Sequence, residues 1–244
     1  MRSTKEIWER EYSGKNIPSS VSSRPSRSLP IFLDFLRSKN IKPGGKIIEP
    51  GCGRGRNGLY MAKLGFDVFG LDIASNALGE FKERADVQGI APRVHLYNTP
   101  ISKKLPFPDK FFDIGVDIEA FFRLVTKNDI YTYRKEIYRV LKDGAYLLQY
   151  QLHPGDGYYK SVLRDPSKSD DGIAVFQDKN ETRGRLYTTT QLKYLFSGFF
   201  APRMSRTLEF QDITYDIMYG MPYRRKLSLV IFQKIPHRPP RARP

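Results

Sequence analysis

The sequence predicts a doubly wound α/β fold, in which helices cover both faces of a seven-stranded, mostly parallel sheet with an antiparallel final strand. Three observations lead to this prediction. An apolar run at residues 46–48 ends in Glu49 and passes through a glycine turn into a helix-forming segment. A second apolar run then ends in Asp72 and completes a βαβ unit. Farther along, strand and helix patterns alternate as far as residue 151, and two late runs have the alternation of an antiparallel pair.

The other elements follow from the spacing of apolar residues and from helix-breaking residues. Helices are predicted where one face is apolar or a capping residue opens the pattern, and strands where short apolar runs lie between turn residues. In chain order the predictions are a helix at 29–39, the first strand ending at Glu49, a helix capped by Ser75 and ending near Gly89, strands at 94–97 and 112–117, a helix at 129–141, a strand at 145–151, a helix starting near Thr188, and an antiparallel pair at 203–211 and 227–232.

The glycine turn brings two carboxylates to neighbouring strand ends. Because the carboxyl ends of parallel strands meet at one edge of a sheet, Glu49 and Asp72 should flank a turn that has almost no side chains. This geometry suits a ligand with a positive or hydroxyl-bearing face.

One acidic residue, three alternating glycines and the aspartate of the next strand resemble the cofactor-binding motifs of class I S-adenosylmethionine-dependent methyltransferases: Glu49, Gly51, Gly53, Gly55 and Asp72. The run Gly55-Arg56-Asn57 is similar to small-molecule members of the tellurite-resistance and thiopurine type. The likeness covers most of residues 29–200.

The resemblance implies a Rossmann-like fold, S-adenosylmethionine as the cofactor and S-adenosylhomocysteine as its product. It also implies that Glu49 faces the ammonium group directly or through water, that Asp72 accepts hydrogen bonds from the ribose hydroxyls, and that the loop after the third strand contacts the adenine. The full set of implied cofactor contacts is Glu49, Gly51, Cys52, Gly53, Gly55, Asn57, Asp72, Ile73, Asn98, Thr99 and Asp117.

A dinucleotide site is a competing interpretation. The glycines of Gly53-x-Gly55-x-x-Gly58 satisfy the dinucleotide fingerprint, with Asp72 at roughly the ribose spacing. In that fingerprint the first glycine directly follows the strand, whereas here the strand ends at Glu49 and the glycines begin two residues later. Because a carboxylate repels a pyrophosphate and attracts an ammonium, the residues favour the methyltransferase over a nicotinamide enzyme.

The domain plan is one domain with three additions. Residues 29–235 form the methyltransferase domain, residues 1–28 a lid-like segment, residues 152–186 an insertion that caps the substrate, and residues 236–244 a basic, disordered tail. In related small-molecule methyltransferases a leading segment of this kind folds over the cofactor. The alternative is that its aromatic residues only pack on the sheet edge.

Composition limits the protein's partners. The chain of 244 residues has a formal net charge of +15, and residues 222–244 contain seven Lys or Arg and no Asp or Glu. Nucleic acid or acidic lipid is therefore a candidate partner, but a solvated tail is favoured. No apolar run approaches the length of a membrane span, and the first six residues lack the core of a secretory signal, so we expect a cytoplasmic protein.

The sole cysteine, Cys52, lies in the glycine turn, which excludes an intramolecular disulfide and a zinc site built on cysteines. We expect it to be a small residue packed beneath the cofactor, with a nucleophile as the alternative. No metal is predicted. The sequence leaves the oligomeric state open.

Methyl transfer from a sulfonium needs a general base only if the acceptor keeps its proton. Candidates for this base are His153, Glu119 and Asp117, in that order. Glu119 could equally pair with Arg123. The residues expected to contact the acceptor are aromatic: Trp8, Tyr12, Phe122, Tyr158 and Tyr159.

Three functions are compatible with these observations. The leading hypothesis is an enzyme that methylates an O, N or S atom of a small molecule. The second is a methyltransferase acting on tRNA, rRNA or protein that is guided by the basic C-terminal region. The third is a catalytically silent subunit that only binds the cofactor.

Overall fold

The computed structural model describes residues 2–14, 22–160, 173–177, 181–212 and 223–236. Within these residues, seven strands form one sheet and helices cover both of its faces, while two further strands form a small separate sheet. The predicted α/β fold with a mostly parallel sheet is confirmed.

Helices and strands alternate through most of the chain. The helices are α1 (Thr4–Gly14), α2 (Ser28–Ser38), α3 (Arg56–Lys63), α4 (Ser75–Val87), α5 (Lys127–Val140), α6 (Gly157–Lys160) and α7 (Thr189–Phe196). The strands are β1 (Lys46–Pro50), β2 (Asp67–Asp72), β3 (Val94–Asn98), β4 (Phe112–Ile118), β5 (Leu141–Leu152), β6 (Val175–Gln177), β7 (Arg183–Arg185), β8 (Phe200–Gln211) and β9 (Arg224–Lys234). None of the helices in the described residues is long and apolar enough to cross a membrane.

The order of the strands creates a crevice at one edge of the sheet. That order is β3-β2-β1-β4-β5-β9-β8. The strands β1 to β5 pair in parallel, and β9 pairs antiparallel with β5 and with β8. In chain order, β2 and β3 are added on one side of β1, and the chain then returns to place β4 and β5 on the other side of β1. The carboxyl ends of β1 and β4 therefore border the switch point at which ligands bind in such sheets.

The core confirms the apolar face that was predicted for the first domain helix. In α2, Leu29 and Phe32 have no exposed surface, and Leu33 and Leu36 are also buried. The central strands β1, β2 and β4 are buried along almost their whole length, as expected for parallel strands that are covered on both faces.

Two local predictions were wrong. Ser75 is the first residue of α4 and not its cap, because Ala74 holds the extended N-cap backbone and the Ser75 hydroxyl bonds to Glu9 instead. The strand β5 begins at Leu141, where we expected a helix end and a turn. A register shift against β4, with Gly144 at a φ of 78°, lets this segment join the sheet early.

A buried polar network fixes the turn at residues 119–124, which follows β4. The Oδ1 atom of Asp117 accepts hydrogen bonds from the backbone N–H groups of Ala120 and Phe121, at 3.2 and 3.1 Å. The side-chain amide of Gln151 donates to the same oxygen at 2.7 Å. The turn is thereby anchored to the ends of both β4 and β5.

We expect Tyr133→Phe to destabilise the protein. The Tyr133 hydroxyl donates to the other carboxyl oxygen of Asp117 and accepts from the Gln149 amide at 3.1 Å, and all three side chains are buried. Loss of a hydrogen bond to a charged group should lower the free energy of unfolding by ~1.5–3 kcal/mol, which urea denaturation would measure. The control is Tyr194→Phe, because Tyr194 is 80% exposed. Equal effects of the two variants would contradict the role given to the network.

Candidate functional site

The turn between β1 and α3 is a close-packed loop of glycines. Gly51, Gly53 and Gly55 have φ values of 66°, 51° and 76°, in the left-handed region that favours glycine. A Cβ atom at Gly51 would lie 2.5 Å from the Cβ of Ala120. The backbone of this turn is therefore packed directly against the turn at residues 119–124, with no side chain between them.

Three acidic residues lie together at the carboxyl ends of the central strands: Glu49 on β1, Asp72 on β2 and Asp117 on β4. Burial, opposed by a hydrogen bond from Asn57 and aided by the charges of Asp72 and Asp117, raises the pKa of Glu49 to about 8. The Oε2 atom of Glu49 is buried and has no hydrogen-bond partner within the described part of the chain. That oxygen lacks a donor, which a ligand or water would supply. Among the described residues, no group of three or more His, Cys, Asp or Glu is placed to hold a metal ion.

Asp72 is held by the backbone on both sides. Its Oδ2 atom accepts from the N–H of Gly53 and its Oδ1 atom from the N–H of Ala74, each at 2.9 Å. Burial raises the pKa of Asp72, and these N–H groups oppose that effect by stabilising the charged form. Each carboxylate oxygen can accept a further hydrogen bond, so a diol can bind here without displacing the backbone donors.

Asn57 and Cys52 support the turn from within. The Oδ1 atom of Asn57 accepts from the N–H of Ser26 at 2.8 Å, which ties the segment before α2 to the start of α3. The Cys52 side chain is buried in an apolar cluster that includes Phe81. Burial raises the pKa of its thiol well above the usual range, which makes it a poor nucleophile and agrees with the interpretation as a packed small residue.

Helix α1 lies across the glycine turn. The Asn76 side chain, in the first turn of α4, donates to the Glu9 carbonyl at 2.8 Å, and the Ser75 hydroxyl donates to the Glu9 carboxylate at 2.7 Å. A Cβ atom at Gly53 would collide with the ring and hydroxyl of Tyr12. Tyr12 therefore rests on the glycine turn, and the lid-like role of residues 1–28 stays a prediction.

The same helix and the residues before it also reach the predicted insertion. Arg2 and Arg10 both contact Oε2 of Glu181, at 2.6 and 2.9 Å, and all three side chains are substantially exposed. Residues 161–172 and 178–180 of the insertion lie outside the described residues, so the prediction of a substrate cap over 152–186 is only partly represented in the structure. Its described part contains β6 and β7, which pair as a small antiparallel sheet.

Two cavities meet beneath α1, and both are lined by Trp8, Tyr12, Gly51, Glu119 and Arg123. The larger, about 260 Å³, extends over the end of β2. The smaller, about 60 Å³, lies over the glycine turn. Of the other predicted residues, Asp72, Ile73 and Thr99 line the larger cavity, and Cys52, Gly53, Asn57 and Phe122 line the smaller one.

Four predicted cofactor residues line neither cavity: Glu49, Gly55, Asn98 and Asp117. The Asn98 amide donates to the carbonyls of Asp72 and Ile73, at 3.1 and 2.9 Å, so its N–H groups hold the end of β2. Asp117, predicted both as a base and as a cofactor contact, has no exposed surface, and its carboxylate is engaged by the buried network. The structure therefore gives Asp117 a positioning role.

The first predicted base also lies elsewhere. His153 lines neither cavity, and its Nδ1 atom accepts from the N–H of Gly155 at 2.8 Å. Burial and the nearby charge of Lys226 lower its pKa. Tyr158 and Tyr159 are buried outside the cavity walls too, where Tyr159 packs with its ring centroid 4.5 Å from that of Phe176.

Two arginines that the sequence predictions did not assign to the site enter it. Arg56 and Arg123 line the smaller cavity together with Glu119. The Glu119 carboxylate lies 3.8 Å from the Arg56 guanidinium, so its nearest cation is not Arg123, the partner we had considered. Arg123 stacks instead on the rings of Trp8 and Phe122, at 4.8 and 4.2 Å. The only sequence signal for these residues was the presence of Arg56 in the Gly55-Arg56-Asn57 run.

Comparison with known proteins agrees with this geometry. Residues 47–144 match a family model described as a methyltransferase domain. A sterol 24-C-methyltransferase of Gibberella zeae is 31% identical over 140 residues, which cover 55% of this chain and 36% of that protein. A fatty-acid O-methyltransferase of Mycolicibacterium smegmatis is 28% identical over 141 residues, which cover 57% of this chain and 48% of that protein. The chain thus spans less than half the length of these curated relatives.

The fold also has solved counterparts. A SAM-dependent methyltransferase of Methanosarcina mazei matches with a TM-score of 0.70 and 23% identity, over 85% of this chain and 98% of the other. At this identity the match shows the fold. Residues 47–144 are therefore similar to a methyltransferase domain, and the fold is that of a solved SAM-dependent methyltransferase.

Proposed function

We propose that the protein transfers a methyl group from S-adenosylmethionine to an O, N or S atom of a small molecule. The observation that carries this proposal is the pair of cavities that meet at the glycine turn beneath α1. The larger one suits an adenosine group, and the smaller one, about 60 Å³, lies over the glycine turn, where the methionine group and the acceptor atom would meet. The closer kinship with the tellurite-resistance and thiopurine type stays a prediction.

The residues present fit the cofactor on chemical grounds. Asp72 has free lone pairs for the ribose hydroxyls, and Ile73 and Thr99 extend the same wall towards the base. The glycine turn offers bare backbone to the methionine group. Glu49 lines neither cavity, so its partnerless Oε2 atom would accept from the ammonium group through water.

S-adenosylmethionine supplies a methyl group that is already activated by its sulfonium. The chain's own residues then have to align the acceptor and exclude water. Trp8 and Tyr12 cover the junction of the two cavities, and Phe122 offers a flat apolar wall. Of the three predicted bases, only Glu119 lines the cavities, so it is the one placed to take a proton from an acceptor that retains one.

A labelling screen tests the function. Purified protein is incubated with methyl-labelled S-adenosylmethionine and with small-molecule, RNA and protein fractions, and we expect label in the small-molecule fraction. Label in RNA that is lost on deletion of residues 236–244 would instead support the RNA alternative. Binding of S-adenosylhomocysteine without transfer to any fraction would support the silent subunit. Residues 237–244 lie outside the described part of the chain, so the predicted tail adds no structural argument.

We expect Asp72→Ala to weaken the binding of S-adenosylhomocysteine about 10- to 150-fold. This corresponds to the ~1.5–3 kcal/mol of a hydrogen bond to a charged group, converted to affinity. Isothermal titration calorimetry measures the effect, and the control is Asp67→Ala, because Asp67 lies at the opposite end of β2. Unchanged affinity in a folded Asp72→Ala variant would contradict the ribose contact.

Glu49 should couple cofactor binding to proton release. With a pKa of about 8, Glu49 is mostly protonated at pH 7 before the ligand binds. An ammonium group favours the ionised form, so binding should release up to one proton at pH 7 and should tighten as the pH rises towards 8. Titrations of S-adenosylhomocysteine in buffers of different ionisation enthalpy count this proton. Glu49→Gln should abolish the release, and a wild-type protein that releases no proton would refute the contact.

A further inference from the structure

The smaller cavity has an excess of positive charge. Its lining includes Arg54, Arg56 and Arg123 but a single acid, Glu119. The guanidinium of Arg54 lies 2.9 Å from the carboxylate of Glu80, which balances its charge. Two guanidinium groups, those of Arg56 and Arg123, then face one carboxylate. The described lining of this cavity therefore favours an anionic ligand group.

The guanidinium of Arg123 lies against aromatic rings, and one of its N–H groups has no hydrogen-bond partner among the described residues. Its guanidinium stacks on Phe122 and Trp8, and also lies 5.6 Å from the Phe176 ring. Its Nη1 atom donates to the hydroxyl of Thr182 at 2.9 Å. Its Nε atom is buried and has no hydrogen-bond partner among the residues that the structure describes. A stacked guanidinium of this kind presents its N–H groups in one plane, the arrangement that binds a carboxylate through two hydrogen bonds.

Arg56 is the second cation, and it is only loosely paired. It is the first residue of α3, directly after the glycine turn, and its side chain is 19% exposed. The 3.8 Å between its Nη2 atom and Glu119 is too long for a hydrogen bond. Arg56 therefore retains donors for a ligand that enters above the turn.

The proposed cofactor would add to this positive charge. Its sulfonium is a cation, and its amino-acid end is a zwitterion with no net charge. Asp72 and Glu49 are not part of the lining of the smaller cavity, so within that lining the charges of the sulfonium and of one arginine have no acidic partner. An anionic acceptor offsets them, and the interaction strengthens as water leaves.

Building on the proposed function, we propose that the methyl acceptor is a small molecule with a carboxylate group, which Arg56 and Arg123 bind, and with a flat apolar part, which packs on Phe122. The methionine end of the cofactor also has a carboxylate, so the same chemistry has a second source. The excess of two guanidinium groups over one acid favours the acceptor as the source of the carboxylate.

Matched acids and amides test this proposal. Protein saturated with S-adenosylhomocysteine is titrated with benzoate, phenylacetate and indole-3-acetate, and with the corresponding primary amides. We expect at least one acid to bind about 10- to 150-fold more tightly than its amide, the effect of one hydrogen bond between charged groups. Arg56→Gln and Arg123→Gln should each remove most of this difference without changing the affinity for the amide. The control is Arg37→Gln, because Arg37 is exposed and lies on α2.

Other outcomes separate the ways in which the proposal fails. Equal binding of acid and amide, or no binding of either, with S-adenosylhomocysteine bound, overturns the carboxylate acceptor but leaves the methyltransferase function intact. If the arginine variants weaken S-adenosylhomocysteine but not 5′-methylthioadenosine, which lacks the amino-acid end, the two cations serve the cofactor and the proposal is overturned. If the unmodified protein does not bind S-adenosylhomocysteine at all, that result contradicts the proposed methyltransferase function.

Discussion

The site depends on the close approach of two backbone turns, one after β1 and one after β4. Gly51 has no side chain, so Ala120 can pack against it, and the buried carboxylate of Asp117 holds the second turn from behind. This contact sets the width of the crevice at the switch point of the sheet. The network behind it reaches β5 and α5, so the turn that faces the glycine turn is anchored to both elements.

The same edge of the sheet concentrates buried acids in a protein that is strongly basic as a whole. Burial raises the pKa of all three, and the charges of Asp72 and Asp117 add to the cost of ionising Glu49. Backbone N–H groups satisfy Asp72, and the polar network satisfies Asp117, whereas Glu49 keeps one oxygen without a donor in the described structure. Of the three acids, Glu49 is thus the one whose charge depends most on a ligand.

Local patterns made much of the fold predictable. The glycine turn, the acid at the end of β2 and the apolar face of α2 all follow from residue type and spacing, which is local information. The roles of Asp117 and His153 were harder to predict, because partners from distant parts of the chain decide whether an acid or an imidazole at a strand end faces a ligand or the core. Tyr133 and Gln151, which enclose Asp117, lie 16 and 34 residues away from it. Arg123 was missed for the same reason, since two of the rings near its guanidinium, Trp8 and Phe176, come from α1 and β6.

The contact between α1 and the insertion has a consequence for how the crevice responds to its surroundings. Arg2, which precedes α1, and Arg10 of α1 converge on Glu181, and these pairs are exposed to solvent. Exposed pairs of this kind contribute only about 0–1 kcal/mol each, and mobile ions weaken them further. The polar network beneath the crevice is shielded from such ions. A rise in ionic strength should therefore weaken the contact between α1 and the insertion. It should leave the buried hydrogen bonds of Asp117 unchanged.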